Sequence, residues 1–330
     1  MNHLTRSVGM DIPWTALAQG NANIAYSNGM GAIMRVPKDP STNISIQLEY
    51  TKVISNLLGN CSIFDSASIV KCSDYTLSPI PDHKFGLLMD DVTFQNDFTV
   101  ELKPKSAMID LVQEKRHPCL YCMFDYTESG NSCLYCPFML YSNDEETIRL
   151  GLEELLNNPK KHFKVHHGGK VYKFKEAIAK NVVNINVLDS LASILIKSEI
   201  LQKIKAAQKS LHQDLKDIVL LYEKINPNQP SMTDVRQVLT CIKSGTALTD
   251  VQKITSYLMS RSLRDLSLML SFHKRLPERN SIKGQINSFM FYTIDVLDLD
   301  MKPISKIAKY YKDALNAASR CEDVSRYCTN

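Results

Sequence analysis

The chain has 330 residues, of which 44% are hydrophobic and 22% charged, and its formal net charge is +4. This length predicts one large domain or two lobes around a sizeable core. The small net charge excludes a protein coated in basic charge, so an anionic ligand must be held by a local cluster. The sequence has neither a run of about 20 apolar residues nor a charged-then-apolar leader. We therefore expect a soluble, intracellular protein of the nucleus or cytoplasm.

The first hundred residues carry short β-type runs separated by turn residues. Three of these runs predict strands, at residues 23–26, 32–36 and 98–102. The first two are joined by the Asn28-Gly29 turn. The segment Asp39-Pro40-Ser41-Thr42 predicts the start of a helix that runs to about Leu58.

From Asn143 onward the pattern becomes helical. The acids of Asp144-Glu145-Glu146 suit the first turn of a helix, and Pro303 suits the first turn of a terminal one. Further apolar spacing predicts helices at 188–222 and 249–259, and strands at 266–272 and 289–299. A sheet-rich first third followed by helices predicts an α+β protein in two lobes, with its chemistry in the cleft.

The segment Gln19-Gly20-Asn21-Ala22-Asn23 precedes a predicted strand, and Arg35 lies on the next one. Glycine lets backbone N–H groups approach an anion, and arginine adds a fixed positive charge. This pattern favours a hairpin over a phosphate chain. The alternative is an ordinary turn followed by a solvated strand arginine.

The run Glu101-Leu102-Lys103-Pro104-Lys105 combines two lysines around a proline. Residues two apart share a face in an extended backbone, and Pro104 favours that conformation at Lys103. Lys103 and Lys105 are therefore predicted to project together as an anion site. The alternative is a strand edge blunted by lysine and proline.

Nine cysteines without an export signal indicate thiols or metal ligands in preference to disulfides. Four of them form two Cys-x2-Cys pairs: Cys119, Cys122, Cys133 and Cys136. This spacing is typical of a closed, structural zinc site. The alternative is four buried free cysteines.

Residues 160–170 are the densest positive stretch of the chain. They fit either a phosphate-binding segment or a solvated strand and turn. Nearby aromatic residues, Phe163, Tyr172 and Phe174, leave nucleic-acid binding open.

Three aspartates suit phosphoryl-transfer chemistry. Asp298 and Asp300 share one face if their segment is a strand, and a pair of acids suits Mg²⁺. Asp265, just before an apolar run, would then orient or deprotonate a hydroxyl. The alternative for each aspartate is a cap or turn residue.

Taken together, these segments resemble the inositol-pentakisphosphate 2-kinase family. The matching runs occur in the family's order, at 20–23, 101–105, 135–142, 264–269 and 296–303. The resemblance implies a divergent two-lobed kinase fold. Residues 1–105 would cover ATP, and residues 106–330 would hold the four-cysteine knuckle (119–136) and the inositol-phosphate site.

The resemblance also implies roles for individual residues. Asp265 would be catalytic, and Asp298 would bind magnesium. Asp300 is a second magnesium candidate on the pattern of acids described above. The nucleotide would be bound by Gln19, Gly20, Asn21, Asn23, Arg35 and Glu101. The substrate phosphates would be bound by Lys103, Lys105, Lys161, His162, Lys164, Lys302, Lys306 and Tyr310.

This chain departs from the family pattern at three places. Phe124 stands where the family commonly has a histidine, and Cys133 would supply the missing zinc ligand. The run 161–164 stands where relatives carry paired asparagines, and Gln19 replaces an acidic residue.

The implied activity is transfer of the γ-phosphate of ATP to the 2-hydroxyl of inositol 1,3,4,5,6-pentakisphosphate, with Mg²⁺ and a structural zinc ion, by a monomer. Five phosphates carry roughly −8 to −10 charges at neutral pH, so clustered lysines are required. The alternative function is a non-catalytic kinase-like module that binds inositol phosphate, RNA or protein.

Overall fold

The computed structural model describes residues 12–19, 22–59, 66–94, 96–109, 119, 121–124, 135–157, 163–275, 281–288 and 290–319. The chain divides into two compact units. Unit 1 comprises residues 1–102, 164–182 and 268–297, and unit 2 comprises residues 103–163, 183–267 and 298–330. Each unit is therefore assembled from three separate stretches of the sequence.

Two six-stranded sheets form the framework of unit 1. The strands are β1 Pro13–Gln19, β2 Asn23–Ser27, β3 Ala32–Pro37, β4 Ser68–Lys71, β5 Thr76–Ser78, β6 Phe85–Asp90, β7 Phe98–Leu102, β8 Phe163–His167, β9 Lys170–Lys173, β10 Ser267–His273, β11 Ile282–Asn287 and β12 Met290–Leu297. The first sheet has the order β4-β6-β3-β2-β1-β5, and the second has the order β11-β12-β10-β7-β8-β9. β2 pairs antiparallel with β1 and β3, and β10 pairs antiparallel with β7.

Alternation of side chains fixes which face of the first sheet is buried. On β3, Ala32, Met34 and Val36 are buried, because residues two apart point to the same face of a strand. They pack with Trp14 of β1 and Tyr26 of β2 in one apolar core. The predicted strands at 23–26 and 32–36 are confirmed, and β10 and β12 account for most of the predicted runs at 266–272 and 289–299.

Helix α1, Ile44–Asn56, belongs to unit 1. The Asn43 side chain accepts hydrogen bonds from the N–H groups of Ser45 and Ile46, which satisfies donors that the first turn leaves open. The helix therefore begins just after the segment that the sequence predicts as its start. Within that segment, Asp39 instead accepts from Ser41 in a turn.

Unit 2 is helical. Its helices are α2 Glu145–Asn157, α4 Val187–Ser198, α5 Ile200–Ser210, α6 Leu215–Ile225, α7 Met232–Ser244, α8 Asp250–Arg264 and α9 Ile307–Ala318, while α3 Phe174–Ala179 belongs to unit 1. Ile218 of α6, Tyr257 of α8 and Ala314 of α9 are buried in a shared apolar core. This core fixes the ends of α8 and α9, which carry candidate site residues.

The sequence analysis missed helix α7, although its signal is present. Ser231 and Asp234 form a reciprocal capping box, in which each side chain accepts from the other residue's backbone N–H. A serine followed three residues later by an acid is a recognisable start signal for a helix.

The chain is thus a mixed α+β protein with two sheets and a helical region, as the sequence predicts. Among the residues that the structure describes, no helix has the length and apolar character needed to span a membrane. The division into an ATP-covering lobe of residues 1–105 and a larger lobe of residues 106–330 remains a prediction.

Candidate active site

The segment that carries Lys103 and Lys105 is held by buried hydrogen bonds within unit 2. Strand β7 ends at Leu102, and Lys105 adopts a positive φ of 65°. The fully buried Gln208 of α5 accepts from the N–H of Ala107 at 2.8 Å and donates to the carbonyl of Lys105 at 3.1 Å. The Tyr141 hydroxyl donates to the same carbonyl at 2.9 Å.

The prediction that Lys103 and Lys105 project together from one face of an extended backbone is wrong. Lys103 and Lys105 lie beyond the end of β7, and Lys105 has left-handed backbone, so a common extended face does not explain their positions. Each lysine instead reaches a different carboxylate. Lys103 Nζ lies 2.7 Å from Asp298, and Lys105 Nζ lies 3.9 Å from Asp265.

Asp265 is the residue that ends helix α8, and its side chain is 40% exposed. Lys302 Nζ lies 2.9 Å from its carboxylate. Burial of the carboxyl group favours a raised pKa, but nearby positive charges outweigh that effect and hold the pKa of Asp265 well below its usual range. These charges belong to Lys302, Arg261 and Lys105. Asp265 is therefore ionised at neutral pH.

Asp298 follows strand β12 immediately and adopts a positive φ of 61°. Its Oδ2 accepts from Lys103 at 2.7 Å and from the Ser267 hydroxyl at 2.8 Å. The carbonyl of Asp300 accepts from the Ser262 hydroxyl at 2.7 Å. The expectation that Asp298 and Asp300 share a strand face is wrong, because β12 ends at Leu297 and the backbone then turns.

Lys302 and Tyr310 are positioned by neighbouring elements of unit 2. The Gln229 amide donates to the carbonyl of Lys302 at 3.2 Å, and its oxygen accepts from the N–H of Ile304 at 2.7 Å. Tyr310 lies on α9, and the Arg261 guanidinium carbon lies 4.3 Å from the centroid of its ring. Lys306, just before α9, is exposed.

Four cations of this region form what we call the cationic cluster: Lys103, Lys105, Arg261 and Lys302. Burial lowers the pKa of Lys105 most strongly, and the other three cations lower it further, whereas Asp265 opposes the shift. Among the residues that the structure describes, lysines of the cluster pair with two carboxylates, Asp265 and Asp298. Such a site suits a ligand with several negative charges.

Unit 2 contains separate candidate ligands for magnesium and for zinc. The half-exposed carboxylate of Asp298 is a hard oxygen donor of the kind that Mg²⁺ takes beside phosphate oxygens, so this residue fits the metal. The sulfur atoms of Cys119, Cys122 and Cys136 lie within 4.8 Å of one another and are buried, which fits zinc. The predicted fourth ligand, Cys133, lies outside the described residues.

Unit 1 brings together two of the candidate nucleotide residues. With the Asn23 amide turned so that its oxygen faces Arg35, that oxygen accepts from Arg35 Nε at 3.3 Å and from Nη2 at 2.9 Å. Asn23 is buried and Gln19, at the end of β1, is exposed. Gly20 and Asn21 lie outside the described residues.

Glu101 of β7 contacts two side chains from β8. Lys164 Nζ and His166 Nε2 each lie 3.2 Å from its Oε2, and the Glu101 side chain is only 12% exposed. Lys164, a predicted substrate contact, therefore pairs with a predicted nucleotide contact. Lys161 and His162 lie outside the described part of the chain.

The sequence analysis did not identify Gln208, Gln229 or Arg261. Arg261 had no local signal, because it lies beyond Met259, where the predicted helix ends, and only the longer observed helix α8 makes it a neighbour of Asp265. The two glutamines had none, because their partners lie 55 or more residues away in sequence.

The fold and the candidate site together indicate the class of protein. It is an α+β protein whose cationic cluster and neighbouring carboxylates suit polyanion binding and phosphoryl transfer. A family model described as "Inositol-pentakisphosphate 2-kinase" matches residues 17–314. The chain belongs to the inositol-pentakisphosphate 2-kinase family. The resemblance found in the sequence is thereby confirmed.

Curated relatives carry the same name. The inositol-pentakisphosphate 2-kinase of Oryza sativa subsp. indica is 24% identical over 243 residues, which cover 64% of this chain and 54% of the relative. The Arabidopsis thaliana protein is 20% identical over 260 residues, which cover 65% of this chain and 57% of the relative. The chain thus matches just over half the length of these relatives.

Proposed function

We propose that the chain is an ATP-dependent inositol-pentakisphosphate 2-kinase. It transfers the γ-phosphate of ATP to the 2-hydroxyl of inositol 1,3,4,5,6-pentakisphosphate and forms inositol hexakisphosphate. The observation that carries the proposal is the cationic cluster around Asp265 and Asp298, in a chain that belongs to this family. Because ATP is an intracellular substrate, we propose that the enzyme acts in the nucleus or cytoplasm. We also propose that it is a monomer.

The substrate role follows from charge. Five phosphates carry roughly −8 to −10 charges at neutral pH, and charge-assisted hydrogen bonds to phosphate are among the strongest in proteins. The proposed phosphate contacts are Lys103, Lys105, Lys161, His162, Lys164, Lys302, Lys306 and Tyr310. When the substrate binds, its phosphates replace the carboxylates as partners of the lysines.

Asp265 orients the acceptor hydroxyl. Its lowered pKa keeps the carboxylate ionised, so it accepts a hydrogen bond from the 2-hydroxyl and directs the oxygen towards the γ-phosphate. A carboxylate with a low pKa is a weak base, and phosphoryl transfer depends mainly on positioning and charge stabilisation. The main contribution of Asp265 is therefore alignment.

The remaining parts of a kinase are proposed for other residues. Asp298 and Asp300 would hold Mg²⁺, which neutralises charge on the β- and γ-phosphates when it is bound. Gln19, Gly20, Asn21, Asn23, Arg35 and Glu101 would bind the nucleotide in a two-lobed kinase fold. Cys119, Cys122, Cys133 and Cys136 would hold a structural zinc ion.

The test is direct turnover. The purified chain is incubated with ATP, Mg²⁺ and inositol 1,3,4,5,6-pentakisphosphate, and the products are separated by anion exchange. We expect a more acidic product, and we expect Asp265→Asn to reduce its rate by about 10²- to 10⁴-fold. Asp217→Asn, which removes an exposed carboxylate from α6, serves as the matched control and should retain full activity.

Two results would count against the proposal. Substrate binding without any product would favour a non-catalytic inositol-phosphate module. Salt-sensitive binding to oligonucleotides that inositol phosphates do not displace would favour a nucleic-acid module.

A further inference from the structure

Arg261 lies at the cationic cluster, although neither the sequence pattern nor the resemblance assigns it a role. It occupies the last turn of α8, four residues before Asp265, so the two residues are neighbours on the helix. Its guanidinium carbon lies 4.3 Å from the centroid of the Tyr310 ring. A cation over an aromatic face is attracted by the ring, which fixes the plane of the guanidinium group.

The charge of Arg261 acts on both of its neighbours at the site. It helps to hold the pKa of Asp265 below the usual range, and it contributes to the lowered pKa of Lys105. The described ion pairs join Lys103 to Asp298, and join Lys105 and Lys302 to Asp265. Arg261 adds a further positive charge to the same group of side chains.

We propose that Arg261 binds a substrate phosphate beside the acceptor hydroxyl, and that the ring of Tyr310 holds its guanidinium group in the required plane. This inference rests on the proposed function. The planar guanidinium donates two parallel hydrogen bonds to phosphate, which an ammonium group does not reproduce. Because Asp265 aligns the 2-hydroxyl, the phosphates closest to Arg261 are those on carbons 1 and 3 of the ring.

The first experiment measures substrate affinity without turnover. Isothermal titration calorimetry with inositol 1,3,4,5,6-pentakisphosphate, in the absence of ATP, should show Arg261→Gln binding roughly ten- to hundredfold more weakly. Arg261→Lys should bind with intermediate affinity. Arg236→Gln removes the same charge from the exposed face of α7 and should bind like the unmodified chain.

The second experiment identifies the phosphate. Inositol tetrakisphosphates that lack the 1-phosphate or the 3-phosphate are titrated into the unmodified chain and into Arg261→Gln. The penalty of the substitution should persist for one tetrakisphosphate and disappear for the other, because the second ligand lacks the phosphate that Arg261 holds. A purely structural role would weaken binding of all three ligands equally, and that result would overturn the inference.

The support from Tyr310 is tested by two substitutions. Tyr310→Leu removes the ring and should make a further Arg261→Gln change much less costly than it is alone, because the guanidinium group is already misplaced. Tyr310→Phe keeps the ring, so the full cost of Arg261→Gln should remain. Additive effects in the leucine background would contradict the role of the ring.

The outcomes separate the two proposals. If the unmodified chain neither binds nor phosphorylates inositol pentakisphosphate, the proposed function fails. If it binds this ligand and Arg261→Gln binds equally well, only the inference about Arg261 fails. If Arg261→Gln does not fold, Arg261→Lys decides the matter, because full affinity in that variant would exclude the two-point contact.

Discussion

The pKa of Lys105 is lowered by its surroundings in the candidate active site. Burial lowers its pKa, and Lys103, Arg261 and Lys302 lower it further, while Asp265 acts in the opposite direction. A phosphate that binds beside Lys105 reverses this balance, because a second negative charge favours the protonated amine. Protonation of Lys105 and binding of the substrate are therefore linked.

This linkage predicts the pH dependence of affinity. In the proposed site the protonated amine would bind phosphate, so the contribution of Lys105 would be complete below its folded-state pKa and lost as the pH rises through that value. Because the pKa is lowered from 10.5, the loss begins at a lower pH than for an ordinary lysine. Within this window, binding should take up a proton, which calorimetry in buffers of different ionisation enthalpy measures.

Two lysine variants check the assignment of this pH dependence. Lys105→Met should weaken binding and remove the early alkaline loss of affinity. Lys243→Met, at an exposed position of α7, should leave both unchanged. An alkaline profile that Lys105→Met does not alter would show that another group titrates.

At the scale of elements, Gln208 connects three parts of unit 2. From helix α5 it bonds the backbone of the Lys105 segment and also donates to the carbonyl of Leu263 in α8 at 3.1 Å. The same side chain thus aligns the segment that carries Lys105 with helix α8, which Asp265 follows directly. Its location in the fully buried interior makes these hydrogen bonds costly to leave unmade.

We predict that Gln208→Leu destabilises the fold by about 1–3 kcal/mol and also weakens substrate binding. The first effect follows from unsatisfied backbone groups, and the second from a displaced Lys105. Urea unfolding and calorimetry measure the two effects. Gln202→Leu, in the same helix, also removes bonds to backbone carbonyls and should lower stability without a comparable loss of affinity.

Equal losses of affinity in Gln202→Leu and Gln208→Leu would show that Gln208 has no special role in positioning Lys105.

The elements themselves were largely predictable from local signals. Strands β2, β3 and β7 follow from short apolar runs with turn residues between them, and α8 from its apolar spacing and Thr249 cap. Local signals failed where the chain changes conformation. Asp298 leaves the strand in a left-handed conformation that a non-glycine residue rarely adopts, so no residue pattern indicated that β12 ends at Leu297.

The site was predictable in its charged residues and not in what holds them. Lys103, Lys105, Asp265, Asp298 and Lys302 were identified by their types and by the resemblance, and the structure joins them in ion pairs. The buried glutamines have no distinguishing pattern, because their partners come together only in the tertiary fold.

For the molecule as a whole, the two compact units interleave along the sequence. Segments 164–182 and 268–297 return to unit 1 after the chain has entered unit 2, and no local signal in the sequence indicated this. Long-range strand pairing explains the return, since β10 pairs with β7 from 165 or more residues away. A division into lobes by a single boundary is therefore a functional prediction and does not describe the compact units.

We predict that the cysteine site stabilises the molecule through a bound zinc ion. Cys119, Cys122 and Cys136 are buried and close together, so these thiols would hold the ion, and its loss would remove the bonds that join them. We predict about one equivalent of zinc in the purified chain and much less in Cys122→Ser, together with a lower Tm. Elemental analysis and thermal unfolding measure these quantities.

Cys241→Ser is the matched control, because this half-exposed cysteine of α7 lies outside the cluster. It should retain zinc and an unchanged Tm. Zinc-free protein that unfolds at the same temperature as the zinc-loaded protein would exclude a structural role for the metal.

The ion pairs at the site give the protein internal counterions. Lys103 pairs with Asp298, and both Lys302 and Lys105 pair with Asp265, so these lysines already have carboxylate partners within the protein. An anion with one charge gains little binding free energy by displacing these carboxylates. A ring with several phosphates would replace both carboxylates at once. We therefore expect that the lysines keep their ion pairs with Asp265 and Asp298 in the presence of a weakly charged anion. A ligand must carry several negative charges to replace both carboxylates.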